Sequence, residues 1–132
     1  MTRSSVAVLF LVMSFSGNVW ANTKSDFKDE SRYPTISKQE LTEIASKKTA
    51  VIVDVNSEES FNKVHVPGAV HFKSHKKDFA KVLPKDKTDL IVAYCGSVKC
   101  GAWKKAAEEA CTLGYTNIRH FKEGIKGWVA SD

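Results

Sequence analysis

A three-layer α/β fold, with a mainly parallel central sheet and helices on both of its faces, is predicted by three features of the sequence. Residues 51–55 (VIVDV) and 89–94 (DLIVAY) are nearly continuous apolar runs, the pattern of strands covered on both sides. Stretches of helical spacing lie before, between and after them, and helices alternating with strands in a short chain imply parallel strands joined by crossovers. The length of 132 residues, with 42% hydrophobic and 27% charged, suits one globular domain.

In chain order, Arg3 followed by the short apolar run 6–13 and the small residues Val19 and Ala21 reads as a secretory signal peptide over 1–21. The run is too short to span a bilayer, so the mature protein is expected to be periplasmic or secreted and free of the membrane. Residues 22–35 are polar and charged and are expected to be a flexible leader, with the folded domain at 36–130. Ser37 and Glu40 have capping-box spacing, and Leu41, Ile44 and Ala45 follow on one helical face, which predicts a helix over 37–47. The first buried strand covers 51–55, and a short helix is expected at 58–63. A turn at 66–68 leads to a brief strand at 69–72, and helical turns at 78–83 stop before Pro84. The second buried strand ends at Tyr94. An Ala-rich helix over 103–112 carries Ala106, Ala107, Ala110 and Cys111 on one stripe, with Gly114 placed for a left-handed cap. A last strand is expected at 117–121 and a terminal helix from Gly124 to Trp128.

The net charge of +5 is spread over scattered lysines. No basic run is interleaved with aromatics, which argues against a nucleic-acid partner and for a soluble surface that meets small anions. Three cysteines make no disulfide framework, and their spacing lacks the paired CxxC of a zinc site. Among the histidines, His65 reads as a turn residue, and His71 with His75 makes at best an adventitious pair. Neither a metal nor a cofactor is expected.

The chemistry gathers at Cys95, at the carboxyl end of the second strand, where open α/β sheets bind ligands. Gly96, Ser97, Val98, Lys99, Cys100 and Gly101 then form a tight segment before a helix start. Backbone N–H groups turned into such a loop, together with the helix dipole, stabilise an anion and favour thiolate over thiol. Lys99 adds positive charge. Cys95 is therefore the candidate nucleophile, the alternative being a buried structural cysteine.

Three motifs in sequence order resemble the rhodanese-like sulfurtransferases, over about residues 36–128. Asp54, Val55 and Asn56, then Phe61, then His65, Val66, Pro67, Gly68 and Ala69 are similar to the family's Asp-Val-Arg through His-Ile-Pro-Gly-Ala signature. Tyr94 and Cys95 open a loop, CGSVKC, similar to the active-site loop, and Gly124, Ile125 and Trp128 match the closing Gly-Gly-Ile-x-x-Trp pattern. The resemblance implies a rhodanese-like fold. It implies a Cys95 persulfide that takes sulfane sulfur from a thiosulfate- or polysulfide-like donor and yields it to a thiophilic acceptor, a small thiol or an acceptor protein. Residues 96–101 would then bind the substrate.

The sequence departs from the pattern at Asn56 for Arg, Ser60 for Glu and Val64 for Gly. The first two would ordinarily pair as opposite charges, and losing both strands neither. Cys100 stands where a basic residue is common, and it is either a resolving thiol for Cys95 or a packed residue beneath the loop. Cys111 is expected in the core. A phosphatase is disfavoured because Gly101 occupies the place of the arginine that would grip a phosphoryl group. Two alternatives stay open: a non-catalytic sulfur-carrier or partner-binding module, and a thiol–disulfide protein using Cys95 and Cys100.

Overall fold

Four strands, β1 (Val51–Asp54), β2 (Val70–His71), β3 (Ile91–Tyr94) and β4 (Ile118–His120), pair in parallel in the order β2-β1-β3-β4. The computed structural model describes residues 32–131, so the expected signal peptide and the leader through residue 31 lie outside the described residues. Helices α1 (Lys38–Lys47), α2 (Glu58–Lys63), α3 (Phe79–Val82), α4 (Trp103–Thr112) and α5 (Gly124–Val129) connect and flank the strands, with a 3₁₀ turn at Lys73–His75. The order of elements is the one the hydrophobic periods predict.

Alternation along the two central strands divides the core in two. Val53, Val55, Ile91, Ala93 and Cys95 face Phe79 of α3 and Trp103, Ala106, Ala107 and Ala110 of α4. Ile52, Val92 and Tyr94 pack with Leu41 of α1 and Ile125 of α5. A side-chain period of two therefore sends neighbouring residues to opposite layers, which explains why β1 and β3 have no solvent-facing polar side, with Asp54 at the end of β1 the one buried polar residue of the two strands. Alanines on α4 let that helix lie close to the sheet. On the other side, Leu41 is fully buried, a contribution of roughly 2 kcal/mol from its transfer out of water.

Local signals account for the helix starts. Ser37 accepts from the Glu40 N–H at 3.1 Å while the Glu40 carboxylate accepts from the Ser37 N–H at 2.8 Å, the reciprocal box read from the spacing. Ser57 caps α2 through the Ser60 N–H. Gly114 follows α4 at φ +96°, the left-handed conformation its position predicts.

One boundary needs correction. The leader was expected to run to residue 35, but Tyr33 is buried against Trp103 in an edge-to-face contact, and Thr35 makes a parallel bridge to His120. The His120 N–H donates to Pro34 and the Ile36 N–H donates to His120, both at 3.0 Å, so residues 34–36 extend the sheet beyond β4. Pro34 hides this short edge segment from pattern reading because it interrupts any strand-like run, while its lack of an N–H costs nothing at an edge. Cys111 also departs from its expected place in the core. It lies at the rim of the buried stripe of α4, half-buried, and lines a cavity of about 350 Å³ beside Tyr33.

Candidate active site

Tyr94 ends β3 on the α1 and α5 side and is anchored by buried polar groups. Its hydroxyl donates to Asp54 Oδ2 at 2.6 Å and accepts from the Val66 N–H at 3.0 Å, and Asp54 Oδ1 accepts from the Asn56 N–H at 2.8 Å. Asp54 is fully buried, and these two donors satisfy a carboxylate that would be costly to bury alone. Burial first, and then the hydrogen bond to Asp54, push the Tyr94 phenol well above its ordinary range, so it stays neutral and donating. The register that sets Asp54 opposite both Tyr94 and His71 also sets the end of the sheet from which the loop departs.

Cys95 points to the opposite layer and opens the loop at residues 95–101. The α5 turn grips this loop from behind: the Ile125 N–H donates to the Cys95 carbonyl at 2.8 Å and the Lys126 N–H to the Gly96 carbonyl at 3.0 Å. A planar trans peptide sets its N–H opposite its C=O, so the Gly96 and Ser97 N–H groups face away from α5. Gly124 makes the approach possible. It has φ +64°, and a Cβ there would come within 2.6 Å of the Cys95 carbonyl oxygen. Asn56 closes the near side, its Oδ1 3.4 Å from where a Gly96 Cβ would stand. His71 in turn holds Asn56 by donating from Nε2 to its carbonyl at 2.9 Å, and its Nδ1 meets Ser74 Oγ at 2.7 Å.

The far half of the loop is folded back on itself. Cys95 and Cys100 are joined as a disulfide, with their Cα atoms 6.2 Å apart. The Cys100 N–H donates to the Ser97 carbonyl at 3.0 Å, and the Lys99 N–H reaches Ser97 Oγ at 3.4 Å. Cys95 Sγ lies 3.3 Å from the Cys100 carbonyl oxygen. In this oxidised form the N–H groups of Lys99 and Cys100 are engaged inside the loop, while those of Gly96 and Ser97 are turned away from α5.

All seven residues singled out in sequence fall on this one loop. Cys95 is 2% exposed, Cys100 is half-buried, and Val98, Lys99 and Gly101 face solvent. The loop also rests on residues that were not assigned a part in the site. Asn56 stood in the sequence only as a departure, and His71 as half of an adventitious metal pair. That pair is not formed: both ring nitrogens of His71 are engaged, and His75 faces Asp78 at 3.4 Å. Among the described residues no cluster of three histidine, cysteine or acidic side chains is placed to hold a metal, and no helix is long and apolar enough to cross a membrane.

The Rhodanese-like domain family matches residues 37–131, and the chain belongs to that family. A thiosulfate:glutathione sulfurtransferase of Saccharomyces cerevisiae is 28% identical over 127 residues, covering 86% of this chain and 90% of its own. The thiosulfate sulfurtransferase GlpE of Pseudomonas putida is 26% identical over 102 residues, covering 76% of this chain and 89% of its own. Among solved structures, a human single-domain sulfurtransferase superposes with a TM-score of 0.58 at 24% identity, covering 75% of this chain and 97% of that one. Fold, loop and relatives together define a rhodanese-type sulfurtransferase.

Proposed function

We propose that the protein carries sulfane sulfur on Cys95, taking it from a small thiosulfate- or polysulfide-like donor and passing it to a thiophilic acceptor, outside the cytoplasm once residues 1–21 are removed. In the reduced protein the Cys95 thiolate attacks the donor's outer sulfur. A new S–S bond forms at Sγ, the donor's own S–S bond breaks, and the remainder, sulfite in the case of thiosulfate, leaves with the electron pair. An acceptor thiol, as thiolate, or another soft nucleophile then takes the outer sulfur and returns Cys95 to the thiolate.

The observation that carries this reading is the grip of α5 on the Cys95 and Gly96 carbonyls. It turns the first two amides of the loop away from the helix at the carboxyl end of a parallel strand, which supports an anion at that point. Lys99, exposed on the same loop, favours the approach of a negatively charged donor. The names of the relatives support thiosulfate as the first donor to try and a small thiol as the first acceptor.

Intact-mass measurement of the reduced mature chain after incubation with thiosulfate or polysulfide tests the proposal. The expected result is a gain of one sulfur atom that maps to Cys95 and is lost on adding an acceptor thiol. An unmodified Cys95 with every donor would sink it. The disulfide between Cys95 and Cys100 favours a second reading, a thiol–disulfide oxidoreductase, which would oxidise a dithiol substrate catalytically with no sulfur donor present.

A further inference from the structure

We infer that Cys100 is the resolving thiol of a sulfide-releasing branch of the reaction, so that the protein reduces the sulfur it has accepted as well as handing it on. The inference rests on the Cys95 persulfide proposed above. Its ground is the loop itself, which brings two sulfurs five residues apart into a bond, with Cα atoms at 6.2 Å, inside the span that a disulfide requires. The turn closed by the Cys100 N–H on the Ser97 carbonyl folds the chain to that separation, while α5 fixes the Cys95 end. A thiol held this way meets the inner sulfur of a persulfide as an intramolecular neighbour, with the rate advantage of a pre-oriented pair.

The step balances without an outside oxidant. The Cys100 thiolate attacks Cys95 Sγ, the Cys95–Cys100 bond forms, and the bond from Sγ to the outer sulfur breaks. The outer sulfur leaves with the electron pair and takes up the proton that Cys100 gave up, departing as hydrogen sulfide. One sulfane sulfur is reduced by two electrons as two thiols become a disulfide. The product is the pairing seen in the structure. Return to the dithiol form requires an external low-molecular-weight thiol or a dithiol protein, which is itself oxidised to a disulfide.

Burial sets the direction of that return. Cys95 is 2% exposed and Cys100 half-buried, so an incoming thiolate reaches the Cys100 sulfur first and expels Cys95. The thiol better stabilised as an anion is the better leaving group, which matches the amides of Gly96 and Ser97 beside Cys95. The nucleophile is thereby regenerated directly, with any mixed disulfide carried on Cys100.

The test uses mature protein reduced, freed of reductant and kept anaerobic, with thiosulfate or inorganic polysulfide added in equal amount. Wild type should release one equivalent of sulfide per chain and end as the Cys95–Cys100 disulfide. Cys100→Ser and Cys100→Ala should stop with the extra sulfur on Cys95 and release sulfide at least roughly a hundredfold more slowly. Cys111→Ser should behave as wild type, since that thiol lies away from the loop. A wild-type persulfide that persists with no sulfide and no disulfide would overturn the inference and leave Cys95 as a carrier. So would a disulfide that forms only when an oxidant is supplied. If neither donor places sulfur on Cys95, the inference falls together with the persulfide reading.

Discussion

Tyr94 and Cys95 are neighbours at the end of the same strand, and they are held in opposite ways. Tyr94 is fixed through its side chain by the buried Asp54 carboxylate and the Val66 N–H, in a network to which the Asn56 N–H adds a second donor for Asp54. Cys95 is placed by α5 amides on two main-chain carbonyls and by a disulfide to a half-buried partner. The first arrangement is rigid because its polar groups would be stranded by any movement. The second can change its covalent state while the strand beneath it stays still. A group whose covalent state can change thus sits one residue from a fixed one, on the other side of the sheet.

The comparison is sharpened first by Cys95→Ser, which should abolish donor-dependent sulfur uptake while the melting temperature stays near that of the reduced wild type. The hydroxyl is far less acidic and holds no persulfide. Substantial turnover by the folded variant would remove Cys95 from the mechanism.

Gly124→Ala is the next largest change, because it acts on the backbone grip rather than on the sulfur. A methyl group would press on the Cys95 carbonyl, and the positive φ would be strained, at a cost on the order of 2 kcal/mol. Sulfur uptake should fall by roughly a hundredfold as the loop is displaced. Stopped-flow uptake and urea unfolding measured together would show this, and an unchanged rate would mean that α5 does not position the nucleophile.

Tyr94→Phe should reverse that pattern. Asp54 loses one donor and the Val66 N–H loses its acceptor, a destabilisation of roughly 1–3 kcal/mol with uptake by Cys95 changed far less. The variant also tests a pH dependence. The folded phenol has its pKa raised, so the unfolded chain, titrating near about 10, releases its proton first. The contribution of Tyr94 is complete below that pH and is lost above it, and the variant should show a shallower alkaline loss of stability. An identical alkaline limb in the two proteins would contradict the assignment.

The smallest expected effect is on Cys95 acidity. With Cys100 replaced by Ser, alkylation of Cys95 should have its midpoint below the ordinary thiol value of about 8.5, set by the two amides turned from α5. A midpoint at or above that value would mean that the amides do not hold the anion.

The fold was legible because its strongest signals are periodic. Continuous apolar runs marked β1 and β3, the Ser37 and Glu40 pair marked the start of α1, and the alanines of α4 marked its buried stripe. The loop was legible because Cys95 closes an apolar run and glycines follow it. What supports the loop was not. Asn56 and His71 act through a carbonyl and a side-chain oxygen that meet only when β1, β2 and β3 are in register, and no local pattern encodes that meeting. Gly124 could be quoted as part of a motif, but its reason is the closeness of a distant backbone. The spacing of Cys95 and Cys100 allowed either a bond or separate packing, and the turn at 97–100 decided between them.

The bridge from Thr35 to His120 has a consequence for how the chain is made. The edge segment at 34–36 comes from the beginning of the domain and pairs with β4, the last strand to be synthesised. The Lys38 ammonium likewise donates to the Ala130 carbonyl at 2.6 Å, tying the start of α1 to the end of α5. The sheet cannot be completed from an emerging N-terminal portion, since its outermost partner appears only when nearly the whole domain is available. Pairings of such long sequence separation form late and slow the search for the native state. During synthesis the segment at 34–36 therefore waits without its sheet partner until the last strand has been made.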